Sequence, residues 1–96
     1  MEPLYRIRGK VKEGARRGKI LGFPTANISL HRQIPEGVYT STIIIRGKRY
    51  QAASFIGSAK TYGESDYKAE SYLLDFDKQI YGEWITVSLL RKLRRN

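Results

Sequence analysis

The chain has 96 residues, enough for one domain around a single modest core and too few for a second core with its own cleft. It has no cysteine and one histidine, His31, which excludes disulfides, a thiolate nucleophile, cysteine-bound zinc and any multi-histidine metal site, and leaves serine-triad chemistry resting on one residue in a polar loop. Eighteen Lys and Arg against nine Asp and Glu give a formal charge of +9, which favours a polyanionic partner: nucleic acid, an acidic membrane surface or nucleotide phosphate.

The N-terminal "MEPLYRIRGKV" lacks the apolar centre of a signal peptide, and no run approaches the roughly 20 apolar residues that span a bilayer. The expectation is a cytoplasmic monomer of one domain, residues 1–96, with no membrane partner. Period-two alternation dominates from the start, so the domain is expected to be all-β with little or no helix. Over residues 4–11, Tyr5, Ile7, Gly9 and Val11 fall on one face and Arg6, Arg8 and Lys10 on the other, a half-buried strand with a basic outer side.

A polar, glycine-punctuated loop follows over residues 12–22. The segment "GVYTSTIIIRGKRYQAASFIG" predicts a hairpin whose turn lies at Arg46-Gly47-Lys48, where glycine supplies the positive φ of a tight turn. The loop "SAKTYGESD" leads to a strand, "YKAESYLLDF", and "DKQIYG" turns the chain into "EWITVSLLRKL", whose Ile85, Val87 and Leu89 share a face. The closing "RKLRRN" either extends that strand or begins a helix. Five or six strands with short loops predict a small antiparallel barrel, because closure removes exposed edges.

Two features carry chemistry. In "GKILGFPTANI", Pro24 fixes its own φ and pushes Phe23 toward extended geometry, so the chain enters Thr25-Ala26-Asn27 as a strand. Residues i and i+2 then point the same way about 6.5 to 7 Å apart, which lets one cation meet both the Thr25 hydroxyl and the Asn27 amide oxygen. Two neutral oxygens suit a Mg²⁺ whose other ligands are water and nucleotide phosphate. Upstream, Gly14, Gly18 and Gly22 admit phosphate oxygens to backbone N–H groups, and Arg16, Arg17 and Lys19 surround them with positive charge. The spacing is not that of a Walker loop, and a glycine-rich barrel corner with Asn27 in a turn fits the same residues.

The second feature is Glu70. Alternation places it with Lys68, Tyr72, Leu74 and Phe76, and places Asp75 with Tyr67, Ala69, Ser71 and Leu73. A carboxylate on a largely apolar face needs a cleft or a partner, and partial desolvation would make it a better proton acceptor. A rim carboxylate paired with Lys68 or another base is the alternative.

In this order the motifs resemble the ATP-dependent riboflavin kinases, including the kinase domain of bifunctional riboflavin kinase/FAD synthetases. The similarity runs from about Tyr5 to Arg94 through "GKVKEGARRGKILGFPTANI", "PEGVYTSTI", "FIG", "ESYLLDF", "IYGEWITVSLL" and "KLR", with "LGFPTAN" the most specific string. The resemblance implies a six-stranded Greek-key barrel that transfers the γ-phosphate of MgATP to the 5′-hydroxyl of riboflavin, giving FMN and ADP. It implies Thr25 and Asn27 as ligands of Mg²⁺ and phosphate, the loop carrying Gly14, Arg17, Gly18, Lys19, Gly22 and Pro24 as the nucleotide cover, and Glu70 as the base. The loop over residues 58–62 borders the nucleotide in that family, which brings Tyr62 to it.

The sequence departs from the family pattern at Phe55, where an asparagine usually precedes the Ile-Gly pair, and in the loop that follows. The family also continues past its "LR" into a helix that helps enclose the flavin, so a chain ending at Asn96 is expected to have an open flavin pocket. The alternative function is a non-catalytic nucleotide, flavin or nucleic-acid binding module on the same barrel, with Tyr50, Phe55, Tyr62 and Tyr67 available to stack bases.

Overall fold

Alternation translates directly into six strands: β1 (Tyr5–Lys10), β2 (Thr25–Ser29), β3 (Gly37–Ile45), β4 (Lys48–Ser58), β5 (Tyr67–Leu73) and β6 (Trp84–Arg94). The computed structural model describes residues 2–12, 25–58, 67–76 and 79–94, among which there is no helix. No described helix is long and apolar enough to cross a membrane. The closing basic segment extends β6 to Arg94.

The strands form one antiparallel sheet in the order β1-β6-β3-β4-β5-β2. Strands β3, β4 and β5 follow one another in space, and β6 returns to lie beside β3, which is the Greek-key arrangement. The β3–β4 hairpin turns on Arg46 and Gly47, with φ of 51° and 80°, the pair of positive values a two-residue turn needs to match strand twist. Arg46 is held in that geometry by a two-pronged pair to Glu83, in which its Nε donates to Oε1 at 2.9 Å and its Nη2 to Oε2.

Two register shifts against β3, between Val38 and Tyr39 and between Thr40 and Ser41, leave extra residues on β6. Such bulges bend a strand and increase its twist, and here they curl the sheet until its edges meet. The seam is narrow. Val11 N–H donates to the Glu83 carbonyl at 2.9 Å on one side, and Lys12 N–H donates to the Asn27 carbonyl at 2.7 Å on the other. Gly9 permits the approach, since a Cβ there would lie 3.0 Å from the Ile28 Cβ.

Inside, every strand contributes buried apolar side chains, including Ile7, Ile28, Ile43, Ile56, Leu73 and Val87. Leu30, Ile34 and Ile80 from the connecting segments complete the core. Three hydroxyls also point inward, and they satisfy one another: Ser41 Oγ and Ser71 Oγ each lie 2.7 Å from Ser54 Oγ. Tyr39, also buried, donates its hydroxyl to the Pro35 carbonyl at 2.6 Å.

Candidate functional site

On β2, Ala26 and Ile28 face the core, so Thr25 and Asn27 face outward. On β5, Ala69, Ser71 and Leu73 face the core, so Glu70 and Tyr72 face outward. The antiparallel register sets Thr25 opposite Tyr72 and Asn27 opposite Glu70, gathering the four side chains into one patch on the outer side of the sheet. The two features read separately in the sequence are cross-strand neighbours.

Outward does not mean exposed here. Asn27 is 2% accessible, and Thr25 and Glu70 are each 9% accessible. Buried polar atoms ordinarily find partners, and each one left without costs about 1 to 3 kcal/mol. Yet Asn27 Oδ1, Asn27 Nδ2 and Glu70 Oε2 have no hydrogen-bond partner among the described residues. The other carboxylate oxygen, Oε1, is 3.5 Å from the Tyr72 hydroxyl. Phe55 of β4 stands opposite Glu70 on its other side and supplies a half-open apolar wall.

This donor set has a definite chemistry. Two unsatisfied oxygen acceptors beside a threonine hydroxyl suit a hard cation, and the unsatisfied amide N–H of Asn27 suits an anionic oxygen such as that of a phosphate. The residues therefore fit a divalent cation carried with a phosphorylated ligand. Among the described residues no group of three or more His, Asp or Glu side chains could bind a metal ion without such a co-ligand.

Of the residues read from the sequence, Thr25, Asn27 and Glu70 are brought together. Gly14, Arg17, Gly18, Lys19, Gly22, Pro24 and Tyr62 lie outside the described residues. The bridge between Lys12 and Asn27 nonetheless fixes where the glycine-rich segment leaves and where it returns, beside the patch. Tyr72 is the residue that sequence reasoning placed on the right face without giving it a part. Its signal was the i+2 spacing from Glu70.

An open cleft of about 350 Å³ lies elsewhere, lined by Leu30, His31, Arg32, Gln33 and Tyr67 at the far end of β2 and β5. It holds none of the unsatisfied groups, and its tyrosine is already committed, the Tyr67 hydroxyl donating to the Ile34 carbonyl. The unsatisfied buried atoms are the better guide to chemistry than cavity size.

Comparison with known proteins identifies the family. A family model described as "Flavokinase: Riboflavin kinase" matches residues 1–96. The chain is 40% identical over 97 residues to a "Trifunctional protein RibF/MnmA" of Mycoplasmoides gallisepticum, covering 98% of this chain and 15% of the relative. It is 37% identical over 93 residues to a "Bifunctional riboflavin kinase/FMN adenylyltransferase" of Haemophilus influenzae, covering 94% of this chain and 30% of that protein. A solved structure described as a macrolide-efflux protein from Streptococcus pneumoniae superposes with a TM-score of 0.82 at 34% identity, covering 98% of this chain and 32% of the other. The chain thus spans a third or less of the length of each of these proteins.

Proposed function

The chain belongs to the riboflavin kinase family, and we propose that it catalyses transfer of the γ-phosphate of ATP to the 5′-hydroxyl of riboflavin, as a cytoplasmic monomer. In this reading a bond forms between the 5′-oxygen and the γ-phosphorus while the bond from that phosphorus to the β–γ bridging oxygen breaks. The hydroxyl proton passes to a Glu70 carboxylate oxygen, and ADP and FMN leave.

Phosphoryl transfer asks little covalent chemistry of a protein and a great deal of positioning and charge neutralisation. Thr25 Oγ1 and Asn27 Oδ1 would hold Mg²⁺, which would offset the charge of the phosphates. Asn27 Nδ2 donates to a phosphate oxygen, and Arg17 and Lys19 add positive charge from the segment that begins after Lys12. Glu70 stands opposite Asn27 across the strands, which supports its part as the base beside the proposed phosphate site.

The observation that carries this reading is the presence, side by side and buried, of an amide and a carboxylate oxygen with no hydrogen-bond partner among the described residues. The test is FMN formation from riboflavin and MgATP, followed by chromatography. Glu70→Gln is expected to lower turnover by about 10² to 10⁴, the usual range for loss of a general base. No FMN from the wild-type chain at saturating riboflavin, or undiminished turnover in Glu70→Gln, overturns it.

A further inference from the structure

The acidic residues of this basic chain are unevenly placed: β1, β6, β3 and β4, four adjacent strands of the sheet, contain no Asp or Glu. Their outward side chains include Arg6, Arg8 and Lys10 on β1, Arg49 on β4 and Arg91 on β6, all exposed. Arg6, Arg8 and Lys10 alternate along one strand, so their charges form a row spaced by about 6.8 Å. The carboxylate next to this face, Glu83, is neutralised by its two-pronged pair with Arg46.

The chain's one tryptophan stands in the middle of that charge. Trp84 lies opposite Lys10 and is 57% accessible, and the Arg8 guanidinium sits over its ring at 5.7 Å. Across the sheet the outward side chains run from Arg8 through Thr86 and Ile44 to Arg49, each opposite the next. A large amphipathic ring held open on a sheet face costs solvation that a core position would avoid, and nothing in the phosphoryl-transfer chemistry uses it.

We propose that this face, the row Arg6-Arg8-Lys10 with Trp84, is a binding surface for single-stranded nucleic acid. The row tracks the phosphates, and the open face of Trp84 stacks on an unpaired base, with Arg8 clamping the ring from the other side. A single strand is the partner because a duplex hides the base faces the ring would use. A membrane surface is disfavoured because Trp84 is flanked by Arg8 and Lys10, and Thr86 and Arg49 stand opposite the exposed Ile44.

The test uses the whole chain and an oligouridylate, read by quenching of the single tryptophan and by anisotropy of a labelled strand across a salt series. The expected result is Trp84 quenching at low salt and an affinity that falls linearly with salt on logarithmic axes. Combining Arg6→Ser, Arg8→Ser and Lys10→Ser should reduce the steepness of that line by about 2, at roughly 0.7 for each phosphate that is no longer neutralised. Trp84→Ala should weaken binding about 5- to 150-fold and leave the salt slope unchanged. Both variants alter exposed side chains, and an unchanged far-ultraviolet circular dichroism spectrum and melting temperature for each shows that it is folded. Three outcomes overturn the proposal: no binding at low salt, equal affinity for a duplex of the same length, or tighter binding to phosphatidylserine vesicles than to the oligonucleotide.

Discussion

Adjacent residues of β5 belong to two polar clusters that obey opposite rules. Ser71 faces inward and joins Ser54 and Ser41 in a chain of hydroxyls 2.7 Å apart. Glu70 faces outward beside Asn27, also buried, and its Oε2 and both polar atoms of the Asn27 amide lack partners among the described residues. Burial is common to both; closure of the hydrogen bonds is not. A closed cluster is architecture, because all it can lose by mutation is stability. One left open among the described residues has bonds still to make, which is what the proposed ligands would supply.

The comparison breaks most sharply at Asn27. Replacing it by leucine removes two unsatisfied buried atoms at similar volume, so thermal stability is expected to hold or rise while FMN formation falls about 10²- to 10³-fold. A parallel loss of melting temperature would show Asn27 to be structural. Ser54→Ala should do the reverse, leaving Ser41 and Ser71 short of a partner at a cost of about 1 to 3 kcal/mol in denaturant unfolding, with turnover at saturating substrate unchanged.

Gly9→Val probes the seam where β1 meets β2. Its first added carbon would sit 3.0 Å from the Ile28 Cβ, and overpacking of that kind costs about 1 to 3 kcal/mol. Because Ile28 is next to Asn27, this variant should lose nucleotide affinity along with stability, which distinguishes it from Ser54→Ala.

The smallest effect is at Tyr39, another closed polar group. Burial, with Tyr5 and Tyr67 nearby, pushes its hydroxyl above the ordinary tyrosine value of 10.0. The folded state therefore keeps this proton after the unfolded chain has lost it. Tyr39's contribution to stability is complete below about pH 10 and disappears as pH climbs through the higher folded value. Tyr39→Phe should flatten alkaline unfolding curves and, through the lost bond to Pro35, lower stability by about 1 kcal/mol near neutrality.

Much of this was legible in the residues. Alternation assigned the faces of β1 and β6, Arg46-Gly47 announced the hairpin, and Thr25, Asn27 and Glu70 stood out as oxygen-bearing side chains on extended segments. What alternation could not supply is which strands become neighbours. Asn27 faces Glu70 only because β2 pairs with β5, a long-range choice that alternation within one strand does not encode. For the same reason the sequence left Glu70 between a free base and a rim carboxylate. Trp84 likewise read as one member of a strand until the β1–β6 register brought it under Arg8.

The clasp between Lys12 and Asn27 ties architecture to chemistry. Lys12 closes the ring of strands through the carbonyl of the residue whose side chain is proposed to hold the phosphates. Whatever steadies Asn27 from outside also steadies the clasp, so the hoop should tighten when the site fills. Deuterium uptake at the Lys12 amide would then slow on adding nucleotide and metal, turning one backbone proton into a gauge of occupancy that needs no turnover to read.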